Sequence, residues 1–327
     1  SLVGSGLLLI GLCMLYDLTG HLLMSNIREQ VEVIMAEGTY AIPLVITVAL
    51  MVVGLAIKSA LFPFHAWLPD AYGYSTISSA AILSSLASKG YIFLLIKIIY
   101  RVIGFTVFNN THIINVLFVF GLMAMVFGSL SAIKESGIRR MIAFSSVAQV
   151  GYIYMGIGLG TKVGMVASVY HIFAHAAGKA LLFIAVIGLT DVSGFSRRFI
   201  DQTGAGFRNK IAGIGFTVGS LSMVGVPVFA GFVSKILFAQ AAVNNSRKLL
   251  PTMIVLAVST ILNAIYFMKT VIRIYTPAPD CGYEGVALRK EKLYALSILL
   301  FIALNIALGM SSQPVVDAIS TGLDMFG

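Results

Sequence analysis

Along this chain, polar residues punctuate long apolar runs instead of alternating with them. About 20 apolar residues are needed to cross roughly 30 Å of hydrocarbon at 1.5 Å per helical residue. The chain divides almost completely into such segments: 2–16, 41–61 continuing irregularly to about 72, 77–103, 113–133, 141–160, 164–190, 211–242, 250–275 and 293–311. The pattern predicts an all-α polytopic membrane protein of nine transmembrane helices with short polar connections, one domain over 1–327. The first segment is short and starts at Ser1, with neither a Met nor the basic stretch that opens a signal peptide. Further chain is therefore expected upstream of residue 1.

Two of the spans are predicted to be broken. Pro63 and Pro69 interrupt LFPFHAWLPD, and Gly225 and Pro227 interrupt VGVPVFAG; proline removes a backbone donor and opens the helical ladder. A lysine lies beside each break, Lys58 and Lys235. In transporters, interrupted helices at matching positions of two repeats point to an ion site, because freed backbone groups line a polar cavity. The breaks fall in the second and seventh spans, which suggests a five-helix repeat with the break in its fourth helix. On that register 113–276 is a second, whole repeat, 1–103 an incomplete first repeat lacking two helices ahead of residue 1, and 293–327 a C-terminal helix and tail.

Composition narrows the class further. Hydrophobic residues make up 58% and charged residues 11%, against roughly 45–50% and roughly 25% in an average soluble domain, which argues against a soluble globule. Lys and Arg number 22 against 13 Asp and Glu, a formal charge of +9. The basic residues stand singly between apolar runs, which argues against nucleic acid as a partner. Sorted by connection, Lys134, Arg139, Arg140, Arg197, Arg198, Arg208, Lys210, Arg273, Arg289, Lys290 and Lys292 fall on one side, side A, and Arg28, Lys97, Arg101, Lys162, Arg247 and Lys248 on side B. The bias makes side A cytoplasmic by the positive-inside rule, in a cell membrane with the chain starting inside and ending outside. Cys13 and Cys281 show no CxxC or Cys/His spacing, so no metal, cofactor or electron carrier is expected in this chain.

Five lysines fall inside spans: Lys58, Lys89, Lys179, Lys235 and Lys269. A lysine near the bilayer centre costs about 2.5–3.5 kcal/mol, so it needs a partner, a water-filled cavity or an uncharged form. Lys269, one turn before Arg273, suits snorkelling to the interface. Lys58 and Lys235 admit either snorkelling or an interior role, Lys235 as an exit-side proton carrier. Lys89 and Lys179 lie too deep to reach water through their own stems and read as interior functional sites. His171, His175 and Lys179 recur at i, i+4 and i+8, one face of one helix. These are the residue types of a proton relay. The alternatives are core histidines tied to carbonyls, or zinc, which would want the glutamate of HExxH and would be opposed by the Lys179 charge. His65 and Asp70, beside the first break, are candidates to admit protons, Asp70 equally to cap the helix that follows. Ser145, Ser146 and Gln149 read as packing residues between membrane helices.

The strings KSALFPFHAWLPDA, ASKGY, IRRMIAFSSVAQVGY, HIFAHAAGKALLF and GVPVFAGFVSK, in that order, resemble the antiporter-like membrane subunits shared by respiratory complex I (M/N/L-type subunits of proton-translocating NADH-quinone oxidoreductase), Mrp cation/proton antiporters and membrane-bound hydrogenases. The resemblance covers essentially the whole chain and looks nearest to the D-type subunit of Mrp antiporters and its hydrogenase relatives. It implies 14 helices with two inverted five-helix repeats, this chain beginning at the sixth. It also implies that Lys58 and Lys235 match the lysines of the two broken helices, Lys89 that of the helix after the first break, and Lys179 with His175 the central relay. One complex I subunit carries glutamate at the position of Lys235, so lysine there resembles the other branches. Two features depart from the family. The glutamate partner of the first lysine belongs to the family's fifth helix, which these residues do not include, and Gly73-Tyr-Ser-Thr-Ile-Ser-Ser replaces an APTPVSA-like stretch.

The function so implied is a non-redox, proton-translocating subunit of a multi-subunit oxidoreductase of the complex I or hydrogenase type. Its expected partners are other membrane subunits, among them a homologous antiporter-like one, and a peripheral redox module. The alternatives are an Mrp-type sodium/proton antiporter subunit and a non-transporting membrane scaffold.

Overall fold

The computed structural model describes residues 2–277 and 292–326; Ser1, Cys281, Arg289 and Lys290, named above, lie outside the described residues. Helix α1 (Leu2–Thr19) packs on α3 (Ala41–Lys58), with α2 (Met24–Glu37) between them in sequence. The hydropathy pattern reads that connection only as short and polar. It folds as a helix because Ile27, Val31 and Ile34, at i, i+4 and i+7, bury one face, and Gly38 in the left-handed region ends it. There follow α4 (Trp67–Tyr74), α5 (Ile77–Ile103), α6 (Phe105–Asn110), α7 (Ile113–Lys134), α8 (Ile138–Gly158), α9 (Lys162–Asp191), α10 (Lys210–Val224), α11 (Ala230–Val243), α12 (Ser246–Ile274), α13 (Lys292–Met310) and α14 (Ser312–Phe326). Among the described residues α1, α3, α5, α7, α8, α9, α12 and α13 are long and apolar enough to cross a membrane. The predicted span 211–242 is divided between the half-helices α10 and α11. The tail expected after 311 is also helical, as α14.

The connections gather into the two groups expected from alternating spans. On side A, Ile138 N donates to the Arg197 carbonyl at 3.1 Å, Phe199 N to that of Ser136 at 2.9 Å, and Gly204 N to that of Arg273 at 3.3 Å. On side B, Lys248 Nζ donates to the Gly158 carbonyl at 2.6 Å, Asn109 to Gly160 O at 3.2 Å, and Lys162 pairs with Asp324 at 2.6 Å.

Burial orders the helices from centre to rim. Over its most apolar stretch α8 is 94% buried and α9 78%, against 11% for α13 and 22% for α1, so the former pair forms the middle and the latter two face outward. Helices α7 and α8 meet along a glycine seam, Gly121 and Gly128 on one, Gly151 and Gly158 on the other. A Cβ on Gly151 would stand 2.7 Å from the Gly121 carbonyl and from Met125 N, closer than real contacts allow. Small residues of this kind let membrane helices approach backbone to backbone. Gly151→Leu is expected to destabilise the detergent-solubilised protein by about 1–3 kcal/mol through overpacking, read as a lower thermal unfolding midpoint; an unchanged midpoint would mean the seam opens without cost.

Candidate functional site: a buried line of lysines and histidines

Helix α10 stops at Val224 because Gly225 turns to φ +89° and Pro227 has no N–H to continue the ladder. Val228, also in the break, sits at φ +83°, a costly conformation for a β-branched residue. The terminal carbonyls of a helix lack partners within it, and Lys235, reaching back from α11, donates to that of Val224 and, at 2.9 Å, to Thr260 Oγ1 on α12. A Cβ on Gly225 would lie 2.8 Å from Lys235 Cδ and 3.1 Å from its Nζ, so glycine serves both the turn and the lysine's approach.

The first break is wired differently. Helix α3 ends at Lys58, Ala60 takes φ +59°, and Trp67 Nε1 from α4 donates to the Ile57 carbonyl at 3.1 Å. With that carbonyl occupied, the half-buried Lys58 ammonium lies 4.6 Å from the centre of the Tyr91 ring, a cation–π contact. Among the described residues it has no carboxylate partner. Pro63 lies in the interruption, whereas Pro69 falls in the first turn of α4, where a missing N–H opens no bond. The His65 ring stacks on Phe62 with centroids 5.4 Å apart and meets Phe144 edge-on at 6.4 Å. Asp70 is exposed and forms an ion pair with Arg140, whose Nε also bonds both Glu135 oxygens at 3.2 Å. It is not the cap of the next helix, since that place belongs to Thr76, whose Oγ1 accepts from Ser79 N at 3.3 Å.

Between the breaks lies a continuous polar string. Helix α5 widens to a π turn over Leu83–Ala87, a feature frequent at functional sites. The buried Lys89 donates to the Ser84 carbonyl at this turn and to Ser88 Oγ at 3.1 Å. The Ser84 hydroxyl is 3.2 Å from that of Ser146 on α8. Ser146 donates to the Ile142 carbonyl at 3.2 Å, and the same carbonyl accepts Lys179 Nζ at 2.8 Å. Lys179, fully buried, also donates to Ser145 Oγ. Two hydrogen-bonded groups thus meet at Ser84, one through its carbonyl to Lys89 and one through its hydroxyl by way of Ser146 and Ile142 to Lys179.

The string continues along α9. One turn from Lys179 is His175, fully buried, with neither ring nitrogen bonded among the described residues. One turn further, His171 stacks on it with centroids 6.1 Å apart and planes 8° from parallel. His171 Nδ1 lies 2.9 Å from Ser234 Oγ, and the Ser234 hydroxyl is 2.9 Å from the Gly231 carbonyl. A carbonyl only accepts, so the hydroxyl proton goes there and His171 donates from Nδ1, leaving Nε2 as its acceptor. Ser234 immediately precedes Lys235 on α11.

The structure therefore brings Lys89, Lys179, His175, His171 and Lys235 into one line and sets Lys58 at its flank. It leaves Asp70 in a surface ion pair. Ser145 and Ser146, read from sequence as packing residues, hold the lysines' hydrogen bonds. Further groups went unnoticed: Tyr152 lies 5.8 Å from Lys235, measured to its ring centre, and connects through Asn263 at 3.5 Å to Tyr266 at 2.5 Å. The sequence signal for them is that α8 is the least apolar of the spans, carrying Ser145, Ser146, Gln149 and Tyr152 where a lipid-facing helix would be apolar throughout. Gly225→Ala should cost about 1–2 kcal/mol, the price of an L side chain in the left-handed region, and Asp70→Asn no more than about 1 kcal/mol, as for an exposed ion pair. Thermal unfolding of both variants checks this, and the reverse order would overturn the assignment.

Comparison with known proteins agrees with this architecture. Residues 1–262 match the family model described as NADH:quinone oxidoreductase/Mrp antiporter, TM. The NADH-quinone oxidoreductase subunit N of Desulforudis audaxviator is 33% identical over 282 residues, 84% of this chain and 54% of that protein. In the solved Mrp complex from Dietzia sp., a chain that is 25% identical superposes with a TM-score of 0.85 over 98% of this chain and 65% of its own length. In the membrane-bound sulfane sulfur reductase, an archaeal respiratory membrane complex, the values are 26%, 0.86, 98% and 63%. The chain thus spans about half to two thirds of the length of the relatives it matches. With the family model covering most of its residues, this multi-pass membrane chain belongs to the NADH:quinone oxidoreductase/Mrp antiporter transmembrane family.

Proposed function

We propose that the chain forms the proton-conducting core of a subunit in a multi-subunit membrane complex. Protons would pass from the first break, near His65, through Lys58, Lys89, Lys179, His175 and His171 to Lys235 and out. The observation that carries this reading is the row of polar groups from Lys89 on the Ser84 carbonyl, through the Ser84 and Ser146 hydroxyls, to the Ile142 carbonyl shared with Lys179, all inside apolar spans. Neutral acceptors hold each ammonium, and the unbonded His175 ring beside it can take a proton on either nitrogen or release one. Two cations in one low-dielectric line repel, so a proton arriving at one favours departure from the next, about 1.4 kcal/mol for each tenfold change in occupancy.

The driving force comes from outside these residues, from a redox module in the same assembly as in the oxidoreductase relatives. Homologous antiporter-like subunits and other membrane subunits are the partners this reading requires. Side A is the cytoplasmic face of a cell membrane, on the excess of basic residues in its connections, with the chain starting inside and its C-terminus outside. Within the domain, 1–103 corresponds to part of a first repeat, 113–276 to the second, each with one break, and 293–327 to a C-terminal helix and tail. The likeness to the Mrp complex favours a second reading, exchange of sodium for protons without electron transfer. A non-transporting scaffold is the third.

Proton uptake into inverted vesicles holding the assembled complex separates them, driven either by an electron donor or by a sodium pulse. Lys89→Ala and Lys179→Ala are expected to lower uptake at least about tenfold, the effect of losing a positioned proton carrier. The driver that works selects between redox pump and antiporter. Full uptake in both assembled variants would overturn the relay and leave the scaffold.

A further inference from the structure

On side A a cavity of about 300 Å³ opens between α7, the start of α8, α12 and the connection 196–204. The proposed relay makes no use of it. Its walls include Ile133, Met141, Phe199 and Ile200, and its rim carries Arg198, Lys269 and Arg273. Lys269 and Arg273 stand one turn apart in the last two turns of α12, the level at which that span leaves the hydrocarbon. Among the described residues, neither side chain has a hydrogen-bond or ion-pair partner. The other charged groups nearby are engaged. Arg198 pairs with Asp201 at 3.2 Å, whose carboxyl the Ser196 hydroxyl holds below its ordinary range, and Glu135 turns both oxygens to Arg140.

We infer that this cavity binds an anionic phospholipid, its phosphate between Lys269 and Arg273 and the start of an acyl chain along Ile133 and Ile200. Basic pockets between membrane helices suit such head groups. Ile200 is 67% exposed beside the cations; at interface depth an acyl chain covers it, while a soluble phosphate gains nothing from it. The positive rim disfavours cations relative to an anionic head group. The site is not isolated from the protein's centre. Its lining includes Tyr266, whose hydroxyl donates to Asn263 at 2.5 Å, and Asn263 lies 3.5 Å from the Tyr152 hydroxyl.

The test is lipid retention by the complex in nanodiscs of phosphatidylglycerol or phosphatidylcholine, followed by native mass spectrometry. The double variant Lys269→Gln/Arg273→Gln should bind phosphatidylglycerol on the order of thirtyfold more weakly, and Lys269→Gln alone on the order of fivefold, from the usual contribution of each cation near a lipid surface. Lys269→Arg should retain binding, and Arg197→Gln, which removes a side-A charge stacked on Tyr74 at 5.8 Å outside the cavity lining, should leave it unchanged. Equal phosphatidylglycerol binding in wild type and the glutamine variants overturns the site. So does an equal loss in Arg197→Gln, or displacement of the lipid by glycerol phosphate at comparable concentration, which would mark a soluble-anion site.

Discussion

An ammonium group inside hydrocarbon is tolerable only where protein oxygens replace its water, and the packing of α8 on α9 is organised around that need at Lys179. The Ile142 carbonyl accepts from the lysine at 2.8 Å, from Ser145 Oγ at 2.8 Å and from Ser146 Oγ at 3.2 Å. One backbone oxygen therefore collects three side-chain donors, two from its own helix and one from the next. For this to be possible α8 must lie deep in the bundle with its polar face toward α9, and its other face must pack closely elsewhere. The glycine seam with α7 supplies that second contact, which is why the least apolar span is also the most enclosed.

The two breaks show how similar sequence grammar yields different wiring. Each contains proline, a neighbouring lysine and one non-glycine residue in the left-handed region, Ala60 or Val228. At the second, the carbonyl left at the helix end is taken by the lysine itself. At the first, the indole of Trp67 takes the carbonyl and Lys58 is left over the face of Tyr91. A ring face holds a cation loosely compared with an oxygen acceptor, so the two breaks give their lysines unlike surroundings.

Hydropathy made most of the spans legible, because crossing length is set by bilayer thickness and leaves little choice of element. It missed α2 and α14, whose apolar residues recur at helical spacing but whose mean is diluted by polar faces, and it could not see that Pro69 falls in a first turn. The i, i+4, i+8 stripe of His171, His175 and Lys179 was readable because one helix carries it. The link from Lys89 to Lys179 was not, since it crosses three helices through a π turn, two serines and a carbonyl, and sequence spacing says nothing of contacts between elements.

Partner chemistry, more than burial, separates the lysines of the line from the other cations. The ion pairs among the described residues are Arg28–Glu32, Arg140 with Asp70 and Glu135, Lys162–Asp324 and Arg198–Asp201. None involves Lys89, Lys179 or Lys235. A carboxylate beside a buried lysine would fix it in the charged state, because removing the proton would strand an unpaired buried anion. Carbonyls and hydroxyls impose no such penalty: they stabilise the ammonium, and a hydroxyl can turn to donate to the neutral amine. The surface ion pairs lie apart from these lysines, whose partners are carbonyls and hydroxyls within the bundle.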